Sequence, residues 1–214
     1  MTTSPSAVLF DLDGTLVDTI GLILGSMSYA FAGRARAPTD AWWLSQLGRP
    51  LPFMLGTWAD NEAEAALLIA RYREHQGAEH DNLIRAYPDA TDVVRELHAR
   101  GHALGVVTSK GVRMATKALD WAGMTSYMSV IVGLESTPVH KPDPAPVRFA
   151  LEALKTDAAQ AWMIGDSPFD LAAGRDAGTR TCGALWGPFD RATLEAERPD
   201  ALAGGMRDLL RIVE

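Results

Sequence analysis

The feature that most constrains this chain is a series of five short apolar runs separated by helical patterns. Each run has the length of a buried strand, and most of them end abruptly in aspartate, threonine, serine or glycine. The runs cover residues 7–10, 102–107, 129–132, 161–164 and 179–184. Strands that alternate with helices in this way predict an α/β fold with a mostly parallel sheet and right-handed crossovers.

One long segment breaks this alternation. Residues 16–84 contain helical patterns, a dividing loop at 48–52 and no convincing strand. The helical patterns cover residues 17–33, 39–47 and 61–77. The segment is far longer than a crossover between parallel strands requires. We therefore predict a helical lid at 16–84, inserted into a core formed by residues 1–15 and 85–214.

Composition excludes several classes of function. Of the 214 residues 47% are apolar, enough for a packed core, and 27 acidic against 20 basic side chains give a net charge of −7. This balance argues against nucleic acid and anionic membrane as partners. Cys182 is the single cysteine, which excludes an internal disulfide and a multi-cysteine zinc site. No apolar run reaches membrane-span length and no signal peptide is evident, so we expect a cytoplasmic protein.

Polar side chains that can perform chemistry follow four of the apolar runs. In a parallel sheet the carboxyl ends of the strands meet at one edge, where ligands bind. Four of these residues are aspartates and three are hydroxyl or lysine side chains. The seven residues are Asp11, Asp13, Thr108, Ser109, Lys141, Asp166 and Asp170. We expect them to form one site.

The aspartates favour a hard metal ion and phosphoryl transfer. The carboxylates of Asp11, Asp13 and Asp166 would repel one another unless a cation lay among them, and Mg²⁺ suits a few oxygen ligands completed by water and phosphate. Asp11 can then attack phosphorus, and Asp13 can exchange protons with the leaving oxygen and with water. The phosphate oxygens would be bound by Thr108, Ser109 and Lys141.

Four motifs carry these residues. They are residues 11–18 (DLDGTLVD), 107–110 (VTSK), 140–144 (HKPDP) and 165–170 (GDSPFD). With them, the sequence resembles the haloacid dehalogenase-like superfamily of aspartate-nucleophile hydrolases, in its phosphoglycolate-phosphatase-like branch with a helical cap. The resemblance spans about residues 6–185. It implies an α/β fold with a Rossmann-like parallel sheet, helices on both faces and an inserted all-helical cap that closes over the substrate.

The resemblance also implies a role for most of the site residues. Asp11 is the implied nucleophile and Asp13 the implied acid and base, with its backbone carbonyl at Mg²⁺. The other implied roles are metal ligand for Asp166, supporting carboxylate for Asp170, and phosphate binding for Thr108 and Lys141. The implied substrate is a small phosphorylated metabolite similar to phosphoglycolate. A monomer and a homodimer are both compatible with the sequence.

Other activities of the superfamily are compared by their own signatures. Dehalogenases lack an aspartate at the position of Asp13, and phosphonate-cleaving relatives need a cap lysine, which residues 16–84 do not contain. Sugar-phosphate mutases carry a histidine where this chain has Ile23, so a mutase is disfavoured. Three alternatives stay open: a sugar-phosphate mutase, an inorganic pyrophosphatase and a non-catalytic metabolite-binding protein. Residues 107–170 also resemble phosphatases that hydrolyse inorganic pyrophosphate.

Within the predicted cap, Arg49 is the best candidate for a substrate contact. Its guanidinium could bind a distal carboxylate or a second phosphate. Three tryptophans near it, Trp42, Trp43 and Trp58, are expected to form the cap core. Residues 187–214 carry no catalytic signal, and we expect them to supply a last helix at the edge of the sheet.

Overall fold

The computed structural model describes residues 7–214, so the first six residues of the predicted core lie outside the described part. Its centre is a six-stranded sheet, ordered β5-β4-β1-β6-β7-β8, in which every neighbouring pair is parallel. A two-stranded antiparallel sheet joins β2 to β3. The strands are β1 (Ala7–Phe10), β2 (Val17–Asp18), β3 (Arg85–Ala86), β4 (Ala103–Val107), β5 (Val130–Val132), β6 (Ala161–Gly165), β7 (Arg180–Ala184) and β8 (Ala201–Ala203).

Helices cover both faces of the large sheet, which confirms the predicted fold class. The helices are α1 (Ile20–Phe31), α2 (Asp40–Gln46), α3 (Leu51–Gly56), α4 (Glu62–Leu83), α5 (Ala90–Ala99), α6 (Val112–Trp121), α7 (Ala145–Leu154), α8 (Pro168–Ala177), α9 (Arg191–Ala196) and α10 (Leu209–Ile212). None of the helices in the described part of the chain is long and apolar enough to cross a membrane.

The side chains of the central strand alternate between two apolar layers. Val8 and Phe10 of β1 pack in one cluster with residues of α5, α6 and α10, whereas Ala7 and Leu9 pack in another with residues of α7 and α8. Successive strand residues point to opposite faces, so a strand buried on both sides must be apolar throughout. This burial fixes the position of Asp11, the first residue after β1.

The helices α1 to α4, called the helical insert below, follow β1 and pack around a third apolar cluster. Its buried members include Met27, Trp43 and Leu55. Trp42 stacks edge-on against both Trp43 and Trp58, with ring centroids 4.7 and 5.6 Å away. Trp43 is therefore a core residue of the helical insert, and Trp42 and Trp58 are half-buried and pack against that core.

Local chemistry explains where elements differ from the sequence prediction. The first helix begins at Ile20 rather than 17, because Val17 and Asp18 pair with β3. The predicted loop is present at residues 48–50, but Leu51 and Pro52 already belong to α3, because proline is tolerated in a first helical turn. Residues 187–214 were predicted to supply one last helix. They form two short helices, α9 and α10, and between them β8, the last strand of the six-stranded sheet.

Candidate active site

The buried end of β1 places Asp11 beside Lys141. Asp11 and Lys141 are each only 3% exposed, and Lys141 Nζ lies 3.0 Å from Asp11 Oδ1. The same ammonium donates to Asp170 Oδ1 at 2.5 Å and to the Val107 carbonyl at 2.9 Å. Lys141 therefore joins the ends of β1 and β4 to the start of α8.

Two more carboxylates complete this cluster after β6. Asp166 Oδ1 accepts a hydrogen bond of 2.6 Å from Thr15 Oγ1. Asp170 lies in the first turn of α8 and forms a capping box with Ser167, whose backbone N–H and hydroxyl both donate to Asp170 Oδ2. The helix cap therefore fixes the orientation of Asp170, which is fully buried.

The carboxylates of Asp11, Asp166 and Asp170 form a set that could hold a metal ion. One oxygen of each lies within 4.8 Å of the others, and all three residues are buried. Asp11 and Asp166 were both predicted as metal ligands; Asp170 was predicted as a supporting carboxylate. The carboxylate of Asp13, the third predicted ligand, is not in this set. The role implied for its backbone carbonyl stays a prediction.

Burial sets the electrostatics of the cluster. Burial raises the pKa of Asp11 to about 7, against the lowering effect of Lys141 and with additional raising by Asp170 and Asp13. Burial, Asp170 and Asp11 raise the pKa of Asp166 well above its usual value. Burial lowers the pKa of Lys141, but Asp11 and Asp170 outweigh it and raise that pKa overall. Three carboxylates against one lysine leave the cluster short of positive charge.

Two glycines allow the backbone to approach Asp166 closely. Gly14 has a φ of +90°, in the left-handed region, and a Cβ atom there would overlap the Asp166 carboxylate. A Cβ atom at Gly187 would overlap the same side chain from the other direction. Gly14 thus serves both the turn after β1 and the packing of the site.

Asp13 is held by contacts that the sequence did not reveal. Lys110 Nζ and Thr19 Oγ1 both donate to Asp13 Oδ1, at 2.5 and 2.6 Å. The Lys110 side chain is only 6% exposed, so its charge is directed at Asp13 rather than at solvent. Lys110 is one of only four lysines in the chain, and that scarcity was the available signal for it.

The predicted hydroxyl residues lie at the end of β4 but make different contacts. Thr108 is buried, and its hydroxyl oxygen accepts from the Lys110 backbone N–H at 3.2 Å. The Ser109 hydroxyl donates to the Gly48 carbonyl of the helical insert at 2.5 Å. Ser109 therefore links the sheet to the insert, and its predicted contact with phosphate stays a prediction.

The helical insert and the sheet enclose a cavity of about 480 Å³ in front of these residues. Asp11, Asp13 and Thr108 line it from the sheet side. Tyr72 and Gln76 line it from α4, and Gln76 Nε2 donates to the Tyr72 hydroxyl at 3.2 Å. Burial raises the pKa of Tyr72, and the charge of Asp13 raises it further. The cavity thus brings residues of both parts of the chain to one space.

Arg49 also lines this cavity, where the sequence predicted a substrate contact. Its guanidinium carbon lies 4.7 Å from the centres of two rings, Phe53 of the helical insert and Phe169 of α8. Its Nε is buried and has no hydrogen-bond partner. The structure therefore places Arg49 between the insert and the sheet with an unused donor.

Comparison with known proteins agrees with this arrangement. The family model for haloacid dehalogenase-like hydrolases matches residues 8–184. The pyrophosphatase PpaX of Bacillus velezensis is 36% identical, with 97% of this chain and 95% of that protein covered. PpaX of Bacillus cereus is 33% identical, with 97% and 96% covered.

Solved structures show the same fold over the whole chain. A predicted phosphoglycolate phosphatase from Haemophilus somnus has a TM-score of 0.90 at 24% identity and covers 100% of both chains. A haloacid dehalogenase-like hydrolase from Streptococcus pneumoniae has a TM-score of 0.86 at 26% identity, again with 100% of both chains covered. This chain therefore belongs to the haloacid dehalogenase-like hydrolase family, as an enzyme of its phosphatase type.

Proposed function

We propose that this protein is a Mg²⁺-dependent phosphatase that hydrolyses a small phosphorylated metabolite through an aspartyl-phosphate on Asp11. The observation that carries the proposal is the buried Asp11 carboxylate. It lies between Lys141 and two further carboxylates and borders a cavity that also contains Asp13. A carboxylate in this setting is oriented by its neighbours and can act as a nucleophile.

The residues present fit Mg²⁺. Asp11 is buried, and the set of Asp11, Asp166 and Asp170 offers hard oxygen atoms with more negative charge than Lys141 alone offsets. When bound, Mg²⁺ would neutralise these carboxylates and draw charge from the phosphate oxygens. We assign the backbone carbonyl of Asp13, two residues after Asp11, as the further proposed ligand.

The protein's own residues account for the two proposed half-reactions. Asp11 attacks phosphorus, the bond to the leaving oxygen breaks, and Asp13 gives that oxygen a proton. Water then attacks the aspartyl-phosphate while Asp13 accepts the proton of the water, which restores both aspartates. We assign the phosphate oxygens to Lys141 and Thr108, and Ser109 and Arg49 to the surroundings of the substrate.

We propose that residues 16–84 act as a cap on the core formed by residues 1–15 and 85–214. Polar contacts join the two parts near the cavity: Ser109 with Gly48, and Lys117 with Asp81 at 3.1 Å. Such contacts can break and re-form as substrate enters and water is excluded. The proposal includes a cytoplasmic location and a monomer or homodimer.

Inorganic pyrophosphate is the second candidate substrate, beside phosphoglycolate. The names of relatives that are 33% and 36% identical over nearly their full lengths favour it. Arg49 borders the same cavity as Asp11 and offers positive charge to a leaving phosphate. The two substrates share the reaction at Asp11 and differ in the group that leaves.

The test is phosphate release by the purified protein with Mg²⁺, measured for pyrophosphate, phosphoglycolate and a panel of sugar phosphates. Release that disappears in Asp11→Asn and in Asp13→Asn would support the proposal. Isomerised sugar phosphate without free phosphate would indicate a mutase instead. Binding of phosphorylated metabolites without turnover, and without an aluminium fluoride adduct, would indicate a non-catalytic protein.

A further inference from the structure

The cavity in front of Asp11 has a buried end and an exposed mouth. Asp11, Thr108 and Gln76 at the inner end are all buried. Arg73 of α4 and Arg113 of α6 line the same cavity but are exposed. The cavity therefore runs from the buried Asp11 carboxylate to a solvent-exposed mouth lined by the two arginines.

The positive charge at this mouth lacks a protein partner. Within residues 7–214, neither Arg73 nor Arg113 forms an ion pair or donates a side-chain hydrogen bond. The acid Glu135 lines the same cavity, but its Oε2 accepts from the Val112 N–H at the start of α6 at 2.9 Å, and it forms no ion pair with either arginine. Lys117, one turn after Arg113, adds further positive charge and is shared with Asp81.

The two arginines lie on different elements, one on the helical insert and one on the core. An anion that both cations can reach gains attraction from each of them. Arginine forks are suited to binding carboxylate or phosphate oxygens in pairs. An anionic group at the mouth would therefore contact both parts of the chain at once.

The volume of the cavity leaves room for a substrate longer than phosphoglycolate. Its volume of about 480 Å³ falls in the range, about 300–1,000 Å³, of sites that hold drug-sized ligands. Gly77, on α4 beside this mouth, leaves open space where a side chain would stand. A two-carbon phosphate such as phosphoglycolate would leave much of this space unfilled.

We propose that Arg73 and Arg113, assisted by Lys117, form a second anion subsite at the mouth of the cavity. The preferred substrate then carries a second anionic group, carboxylate or phosphate, on a chain longer than that of phosphoglycolate. This inference rests on the proposed phosphatase function, since it names the class of substrate for the same site.

The experiment compares kcat/KM for phosphate release across a series of matched substrates. The series contains alkyl phosphates, ω-carboxyalkyl phosphates beginning with phosphoglycolate, and α,ω-alkyl bisphosphates, each with two to six carbons. We expect a terminal anion to raise kcat/KM at least tenfold over the matched alkyl phosphate, with the best chain longer than two carbons. The carboxylate and bisphosphate arms show which anion is preferred.

Variants then assign the effect to the two arginines. Arg73→Gln and Arg113→Gln should each reduce the ratio between anionic and alkyl substrates about tenfold, through KM. Arg95→Gln is the charge-matched control on α5, outside the cavity, and should leave the ratio unchanged. Gly77→Leu should lower kcat/KM for long substrates more than for phosphoglycolate, because it narrows the mouth without removing charge.

Two results would overturn the inference in ways that are distinct. If the protein releases phosphate but a terminal anion gives no advantage, or an advantage that both arginine variants retain, the subsite is wrong and the phosphatase function stands. If no member of the series or of the earlier panel releases phosphate, the proposed function fails and the subsite fails with it. Wild-type melting temperatures in the variants would exclude misfolding as the cause of a lost ratio.

Discussion

The charged side chains at the edge of the sheet and those of the helical insert that line the cavity differ in burial and in how many of their donors have a protein partner. At the sheet edge, Lys141 is almost fully buried and contacts Asp11, Asp170 and the Val107 carbonyl. On the insert, Arg73 is exposed and Arg49 keeps a buried Nε without a partner. The first region uses nearly all of its donors internally, whereas the second leaves donors for a ligand.

This difference indicates that the sheet edge serves the reaction itself and that the helical insert serves the choice of substrate. A buried, partnered group costs little to hold in place during a reaction, so it suits steps that are common to every substrate. A group with an unused donor gains most from a new partner, so it suits the choice of substrate. Variants of residues from each region test this division.

Loss of the proposed nucleophile should have the largest effect. Asp11→Asn removes the attacking oxygen's charge, and we expect phosphate release to fall by about 10³-fold or more, as for other enzymes that lose a nucleophile. Steady-state phosphate release with Mg²⁺ would measure this, and circular dichroism would verify folding. Activity within tenfold of wild type would mean that another group attacks phosphorus.

Lys141 and Lys110 each pair with an aspartate of the site, and their removal tests whether the more buried pair contributes more to stability. Lys141→Met leaves Asp11 and Asp170 without their shared cation, so we expect a loss of about 3–5 kcal/mol in the free energy of unfolding. Lys110→Met should cost about 1–2 kcal/mol, because Asp13 keeps its bond from Thr19 and its side chain is 20% exposed. Urea denaturation without metal measures both, and equal losses would contradict the division.

The metal-free protein should lose stability as pH rises. Burial raises the pKa of Asp11 to about 7, so between about pH 4 and 7 the folded protein holds a proton that the unfolded chain has released. The stabilisation is therefore complete at low pH and is lost as pH rises through 7, by roughly 2–4 kcal/mol.

Asp11→Asn supplies the control, because its side chain does not ionise. The difference in unfolding free energy between the two proteins, measured in chelator from pH 5.5 to 8, isolates the contribution of Asp11. The variant should become the more stable protein at pH 8, and Mg²⁺ should reduce that difference. A difference that does not change with pH would show that Asp11 ionises normally.

The sequence predicts the sheet edge well for a physical reason. A strand buried on both faces must be apolar, so the first aspartate after Ala7–Phe10 or Ala161–Ile164 stands out against it. The order of strands and the parallel connections then bring Asp11, Asp166 and Lys141 to one edge. Local pattern and general topology suffice here.

Contacts between distant segments could not be predicted in the same way. Lys110 and Asp13 are 97 positions apart, and no local pattern states which lysine meets which aspartate. The third carboxylate near Asp11 is Asp170 rather than Asp13 because a helix cap at Ser167 turns it inward. Strand β8 was missed because three small or apolar residues carry almost no periodic signal.

The smallest expected effect concerns the two hydroxyls at the end of β4. The Ser109 hydroxyl already donates to the Gly48 carbonyl, so Ser109→Ala should weaken a contact between core and insert by about 1 kcal/mol and reduce kcat/KM about fivefold. Thr108→Val, which removes a buried hydroxyl from a residue that lines the same cavity as Asp11, should reduce kcat/KM more than tenfold. Phosphate release by the two variants measures the contrast. A larger loss in Ser109→Ala would make Ser109 the main phosphate hydroxyl and would place substrate binding, rather than insert contact, at that residue.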